Sequence, residues 1–542
     1  MRKRETIQKI ITKSSDLADR GYLLPRYDVE KVTRKTLEDP RWVQLGAGNI
    51  FRAFLAPHQQ QLLNEGVVDT GIIVAEGYDT EMIDVLQRYD NLTINVTLKS
   101  DGNLTKEIIG SISKYVKMEN DSEDFILLKE IFRKPSLEMV SMTITEKGYS
   151  LVDNHGELTP LVKADFENGP YNTQSYLGKL TTLLFERYQA GAFPLALVSM
   201  DNMSHNGKKL QNSVFAYVNR WVEKQLVPID FSEYILNSGK VSFPWTMIDK
   251  ITPRPDAKIE ALLEKDGLEG ISPSQTLKHT FVAPYVNGEE TEYLIIEDNF
   301  PNGRPLLDKT GIIYTKRETV NKVETMKVTT CLNPLHTALA IFGCLFDYHF
   351  IHEEMRDPDL VSLIKVLGYQ EGLPVVMNPE IINPEKFIDE VINTRLANPF
   401  IPDTPQRIAT DTSQKLSVRY GETIKSYVAS STLNPHSLKI IPLVLAGWLR
   451  YLSGIKDTGE IFEVSPDPML PVLQPLFSEF KLGKTNATQE IETLLRNEKI
   501  FGLDLVEVGL SDSIISMYEE ISTAPGSVRL VIKKVLSEIK SN

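Results

Sequence analysis

The chain has 542 residues, 42% hydrophobic and 24% charged, which is ordinary globular composition with ample material for more than one core. Lys and Arg total 59 against 73 Asp and Glu, so the formal charge is −14, and an acidic exterior without a basic stripe argues against nucleic acid as a partner. Two cysteines, Cys331 and Cys344, are too few for a disulfide framework or a four-thiolate zinc site, and their apolar setting marks them as buried thiols. The start, MRKRETIQKIITKSSD, has no apolar core behind its basic residues. The longest apolar runs, such as 440–449, fall short of the ~20 residues of a membrane span. A cytoplasmic protein without a membrane partner is expected.

In chain order, residues 1–40 are polar and read as a helical or irregular arm. The pattern changes at Trp42, where a short apolar strand runs into a Gly-containing turn and then into helical spacing through Ile50, Phe51, Phe54, Leu55, Leu62 and Leu63. A second buried strand covers 72–75 and ends in Glu76. β-Rich runs follow at 92–98, 107–115, 139–145 and 195–199, with a helical stretch at 174–190. Strands alternating with helices indicate βαβ units and a largely parallel sheet. Beyond residue 305 the texture becomes helical, from LHTALAIFGCLF to SVRLVIKKVLSEIK. The expected architecture is α/β: an N-terminal Rossmann-type domain over 41–305 and a mostly α-helical domain over 306–542.

The turn Gly46-Ala47-Gly48-Asn49-Ile50-Phe51-Arg52 has glycine at the first two positions of a G-x-G-x-x-G motif and Phe51 at the third. The first glycine permits the tight turn, and the second lets backbone approach a pyrophosphate at the helix N-terminus. Phe51 in place of the third predicts a wider helix–strand separation or a displaced register. Glu76, 28 residues after Gly48, is positioned to accept hydrogen bonds from an adenosine ribose and to repel a 2′-phosphate, which favours NAD over NADP. The same residues also fit a nucleotide-free α/β core.

The segment Met326-Lys327 to Asn333-Pro334-Leu335-His336 is the most informative of the C-terminal half. Asn333-Pro334 reads as a helix N-cap followed by proline at the first helical position, with His336 on the first turn. One reading is a capping amide, a solvated lysine and a packed histidine. The other is a lysine that exchanges a proton with a substrate oxygen held by amide donors, as hydride transfer to a ketone requires. His349 and His352 could share a helix face, yet no carboxylate–cysteine cluster completes a zinc site, so no metal is expected.

Several blocks occur in one order: LGAGNIFRAF, TITEKGY, VSMDNMSHNG, FPWTMIDKITP, IEDNFPNGRP, KVTTCLNPLHT and RLANPFIPDTPQRIATD. On these the chain, from about Arg41 to beyond Arg407, resembles the polyol-specific long-chain dehydrogenases, which include mannitol 2-dehydrogenases, fructuronate reductases and tagaturonate reductases. The resemblance implies a Rossmann-type domain, a helical domain and metal-independent hydride transfer in the cleft between them. It implies Lys327 as general acid and base, Asn202 and Asn333 as donors to the oxyanion, Asp249 as partner of the lysine or of a substrate hydroxyl, and His336 and Arg407 as substrate contacts. Gly46, Gly48, Asn49, Ile50, Phe51, Arg52 and Glu76 form the expected cofactor site.

One departure stands out. The family spacing is Lys-x4-Asn-x2-His, whereas five residues separate Lys327 from Asn333 here. On a continuous helix one extra residue rotates the lysine by about 100°. A looped approach or a bulge would remove the conflict. The TTCLNPLHT wording is most similar to the fructuronate reductase branch, which implies D-fructuronate and D-mannonate as the substrate pair, ahead of tagaturonate/altronate and fructose/mannitol. A sugar acid calls for cations at its carboxylate, and Lys250 and Arg254 are candidates beside Arg407. A catalytically silent sugar- or nucleotide-binding module would keep the fold, but it would be free to lose the lysine.

Overall fold

The structure is a computed structural model that describes residues 14–484 and 488–541. It divides into two compact units, one of residues up to 99 with 103–321, the other of 100–102 with 322–542. The first unit is built on six strands: β1 (Trp42–Leu45), β2 (Ile72–Glu76), β3 (Ile112–Lys117), β4 (Met139–Met142), β5 (Leu195–Ser199) and β6 (Val241–Ser242). Their order is β3-β2-β1-β4-β5-β6 and every pairing is parallel. The order reverses between β1 and β4, and that switch point is where such sheets leave a crevice at their C-terminal edge.

Every residue of β1, β2, β4 and β5 is buried, as expected of parallel strands covered on both faces. The two-residue alternation sorts them. Val43, Leu45, Ile73, Val140 and Leu197 face helices Glu123–Arg133, Tyr176–Gln189 and Asn206–Glu223. Trp42, Ile72, Val74, Met139 and Val198 face the opposite core with Leu62, Ile83 and Leu86. Each such side chain contributes about 1.5–3 kcal/mol of burial. Ser122 and Ser175 start two of the covering helices by accepting N–H bonds from Phe125 at 3.0 Å and Gly178 at 3.1 Å.

Four features differ from the sequence reading. The run at 107–115 is two strands, Leu104–Ile109 and Ile112–Lys117, broken at Gly110-Ser111. There Gln60 Oε1 takes the Gly110 N–H at 2.6 Å, and Ser111 Oγ donates to the Ala56 carbonyl at 2.7 Å. Thr93–Leu98 lies outside the parallel sheet; it pairs antiparallel with Leu104–Ile109 and parallel with Tyr285–Glu289 in a second sheet. Of the expected arm, residues 1–13 lie outside the described residues, Tyr22–Leu23 form an edge strand of that second sheet, and Val29–Glu38 is a helix capped by Asp28. The division after Asn321 falls later than the expected one after 305. Ile313–Thr315 pairs with Tyr293–Glu297, which in turn pairs with Thr246–Asp249, and so keeps residues past 305 in the first unit.

The second unit is helical. Its central helices, Asn333–Phe346 and Ile440–Tyr451, are apolar nearly all round and buried accordingly. By length and composition the stretch Arg317–Phe346 is apolar enough to cross a membrane, but 78% of its apolar window is buried inside the protein. Glu371 starts Ile440–Tyr451 from outside the helix, accepting N–H bonds from Lys439, Ile440 and Ile441 at 2.6, 2.7 and 2.8 Å.

Candidate active site

Gly46 follows β1 with φ +97°, and a Cβ there would stand 2.3 Å from the Thr143 carbonyl oxygen, so only glycine fits. A buried polar chain holds it. Trp42 Nε1–H donates to Ser141 Oγ at 2.6 Å, Ser141 Oγ–H to Gln44 Oε1 at 2.5 Å, and Gln44 Nε2–H to the Gly46 carbonyl at 3.1 Å and Thr143 Oγ1 at 2.9 Å. A Cβ on Gly48 would meet nothing within 4 Å, so the turn is open to a close approach at that residue.

Phe51 opens a π-helical turn, Phe51–Leu55, in which Ala56 N–H reaches back to the Phe51 carbonyl. The residue in place of the third glycine thus coincides with a shifted helical register. Phe51 and Arg52 are fully buried and Ile50 packs on the same core, so these residues brace the turn from inside. Arg52 donates to the Ala283 carbonyl at 2.8 Å and to Asn49 Oδ1 at 3.0 Å, and its burial lowers its pKa. Asn49 Nδ2 in turn reaches the Pro253 carbonyl at 3.4 Å.

Glu76 ends β2, buried. One carboxylate oxygen accepts N–H bonds from Tyr78 at 2.7 Å and Asp79 at 3.2 Å, and the other accepts from Ala47 at 3.2 Å. A carboxylate has about four acceptor positions, so one remains for a ribose hydroxyl. The glycine-only turn, the open approach at Gly48 and this anchored carboxylate fit a dinucleotide.

Asn202 lies exposed in the loop after β5, on the same C-terminal edge of the sheet. Its neighbours fix that loop. Asp201 accepts from Ile144 and Thr145 N–H at 2.9 and 3.0 Å and from the Tyr149 hydroxyl at 2.7 Å. Asn206, wholly buried, donates to the Asp201 carbonyl at 3.0 Å and Thr246 Oγ1 at 2.8 Å while accepting the Thr246 N–H at 3.0 Å. His205 adopts φ +53° and lies 4.6 Å from the Trp245 ring.

Asp249 closes strand Thr246–Asp249, buried. Lys250, expected at a substrate carboxylate, is instead 4% exposed with its ammonium 2.5 Å from Glu292 and over the Phe54 ring. Burial raises the Glu292 pKa, but His58 at 3.1 Å and Lys250 outweigh it and bring that carboxyl to about 2. The Lys250 charge is therefore already matched. Arg254 is exposed, 5.4 Å over the Phe281 ring.

In the second unit the lysine segment corrects one expectation and meets another. Helix Arg317–Met326 runs into a π turn, Lys327–Cys331, and on into Asn333–Phe346. The Leu332 N–H donates to the Lys327 carbonyl at 3.1 Å, an i→i−5 bond, and regular bonding resumes when His336 N–H donates to Leu332 at 3.0 Å. Asn333 is therefore the first helical residue and not the cap. Leu332 holds the cap position without a side-chain bond, because the chain arrives already helical. A π turn absorbs one residue, so it cancels the roughly 100° rotation that the longer Lys–Asn spacing would cause. Lys327 is buried on this turn.

His336 sits one turn further on, its side chain 16% exposed, with Nε2 3.5 Å from Asp403 Oδ2. Arg407, 62% exposed, pairs with the other oxygen of Asp403. Burial, together with Arg419, Arg395 and Arg407, outweighs the aspartate and pushes the His336 pKa down to about 4. The imidazole is neutral near pH 7. Lys415 lies in the field of Arg419 and Arg407, which add to burial in lowering its pKa. Sequence reasoning passed over all four: Arg395 and Asp403 lie in the RLANPFIPDTPQRIATD block beside Arg407 without a spacing that marks a role, and Lys415 and Arg419 lie just beyond it. Among the described residues no group of three or more His, Cys, Asp or Glu is arranged to hold a metal ion.

Sequence models of the mannitol dehydrogenase Rossmann domain and the mannitol dehydrogenase C-terminal domain match residues 40–309 and 319–522. The D-mannonate oxidoreductase of Thermotoga maritima is 50% identical over 520 residues, 95% of this chain and 96% of its own. A D-sorbitol dehydrogenase solved without substrate is similar in fold, with a TM-score of 0.78 at 24% identity over 94% of this chain and 97% of its own. The Pseudomonas fluorescens mannitol 2-dehydrogenase, solved as a ternary complex with NAD and D-mannitol, has a TM-score of 0.66 at 26% identity, covering 97% and 99%.

Proposed function

The chain belongs to the mannitol dehydrogenase family, and on that premise we propose that it interconverts D-fructuronate and D-mannonate with NAD. The observation that carries a sugar acid over a polyol is the cluster around His336, where Asp403 lies 3.5 Å from the ring and pairs with Arg407, while Arg419, hydrogen-bonded to Thr337, has no carboxylate in ion-pairing contact among the described residues. The likeness to the Thermotoga maritima D-mannonate oxidoreductase supports the same pair. Glu76 supports NAD, since its carboxylate would repel a 2′-phosphate. A cytoplasmic location accords with two small water-soluble ligands.

Gly46 and Gly48 would admit the pyrophosphate and Glu76 would hold the adenosine ribose. Bound NADH supplies the hydride that the ketone carbon accepts. Lys327 then gives a proton to the ketone oxygen in reduction and takes it back in oxidation. The amides of Asn333 and Asn202 donate to that oxygen as negative charge develops on it. His336, being neutral, can both accept from and donate to substrate hydroxyls. Asp249 receives a further hydroxyl, and Arg407 remains a substrate contact.

The test is a reductive panel of D-fructuronate, D-tagaturonate and D-fructose, read by NADH absorbance with product identification. The reading expects D-fructuronate to give D-mannonate at the highest kcat/KM. No oxidation of NADH with any of the three would favour a silent binding module and sink the enzyme reading. Preference for D-tagaturonate or D-fructose would move the substrate to that branch. Lys327→Ala should lose at least about a hundredfold in kcat with NADH affinity retained; lost cofactor binding would mean that Lys327 serves another site.

A further inference from the structure

The charges around His336 are unequally matched. Arg407 is paired with Asp403 and largely exposed. Arg419 is partly buried on the π turn Ser417–Gly421, and its Nη1–H donates to the hydroxyl of Thr337, the residue next to His336. Among the described residues no carboxylate stands within ion-pairing distance of Arg419. The turn that carries it is fixed, because Tyr420 OH donates to the Pro334 carbonyl at 2.7 Å and a Cβ on Gly421 would lie 2.1 Å from the Phe501 carbonyl oxygen.

Lys415, one turn earlier, donates its ammonium to the Thr410 carbonyl, with no acid in direct contact. Asp411 and Asp467 act on Lys415 from a distance, but among the described residues neither cation has an acid in ion-pairing contact, so the two repel each other and are incompletely compensated for lost hydration. A guanidinium presents its remaining N–H groups as a planar fork, which a carboxylate fits with two parallel bonds. A polyol hydroxyl offers neither the charge nor the second oxygen.

Resting on the sugar-acid reading above, we propose that Arg419 is a specificity-determining residue, seating the substrate's carboxylate through the guanidinium that Thr337 holds beside His336. Arg407 has the more obvious sequence signature, but its charge is already satisfied by Asp403. Thr337 is a positioning residue for the fork.

The test measures kcat and KM for D-mannonate oxidation in the wild type, Arg419→Met and Arg419→Gln. Arg419→Met should raise KM about a hundredfold with kcat changed only severalfold, as expected when one partner of a partly buried charge pair is removed. Added guanidinium salt should recover part of the loss. Arg419→Gln keeps an N–H for Thr337, so it preserves the local packing but should show the same rise in KM; it decides the matter if Arg419→Met does not fold. An unchanged KM in either folded variant, or a loss carried by kcat alone, would overturn the seat. A wild type that does not oxidise D-mannonate would instead overturn the substrate reading, and the two failures are therefore distinguishable.

Discussion

Gly46 and Gly48 share one turn yet answer to different demands. Gly46 is required by the fold, since any Cβ would run into the Thr143 carbonyl at a φ that side chains avoid, whereas a Cβ on Gly48 would project into open space. Gly46→Ala should lower stability by several kcal/mol, in line with forced backbone strain and displaced β-strand packing. Gly48→Ala should leave the melting temperature within experimental scatter and weaken NADH binding about tenfold or more. Calorimetry and fluorescence titration of the two variants read these outcomes separately, and equal effects on both would contradict the assignment.

His336 gives a pH signature at the same scale. Its pKa falls from an ordinary 6.5 to about 4 in the folded protein, so the native state disfavours the proton. The stability this reflects is complete above about pH 6.5 and is lost as pH falls toward 4, at most about 3 kcal/mol in all. His336→Asn should flatten that part of the stability–pH curve; an unchanged slope between pH 6.5 and 4 would contradict the burial argument. The sequence made Lys327, Asn333 and His336 legible because they sit in one spaced segment. Gln44, Asn206 and Arg419 were not legible, since each acts through partners distant in sequence that only the fold brings near.

Among elements, the π turn at Lys327–Cys331 reconciles the chain with the family spacing. Sequence alone left a loop or a bulge equally open, and neither hydrophobic pattern nor the Asn-Pro pair distinguishes them. The pair even misled, because proline is as acceptable in the first turn of a helix that continues another as in one that begins afresh. If the turn's only task is to absorb the extra residue, deleting Val328 should yield a regular helix with activity within about tenfold of wild type. Inserting an alanine at the same place should cost at least about a hundredfold, because a second extra residue has no turn to absorb it. A deletion as damaging as the insertion would show that the π turn itself shapes the site.

For the whole molecule, the order of strands and helices was readable because buried parallel strands leave unbroken apolar runs. The second and third sheets were not, since their strands pair across long sequence gaps, as Thr93–Leu98 does with Tyr285–Glu289. The net charge of −14 also concealed the local field, in which arginines gather around a single histidine. The central claim is that this field selects an acid.

D-Mannonate and D-mannitol differ only in a terminal carboxylate against a terminal alcohol, so the ratio of their kcat/KM values for NAD-linked oxidation isolates that group. The account predicts that D-mannonate is preferred at least about a hundredfold, as a buried, charge-paired contact would provide. Equal rates, or a preference for D-mannitol, would contradict it.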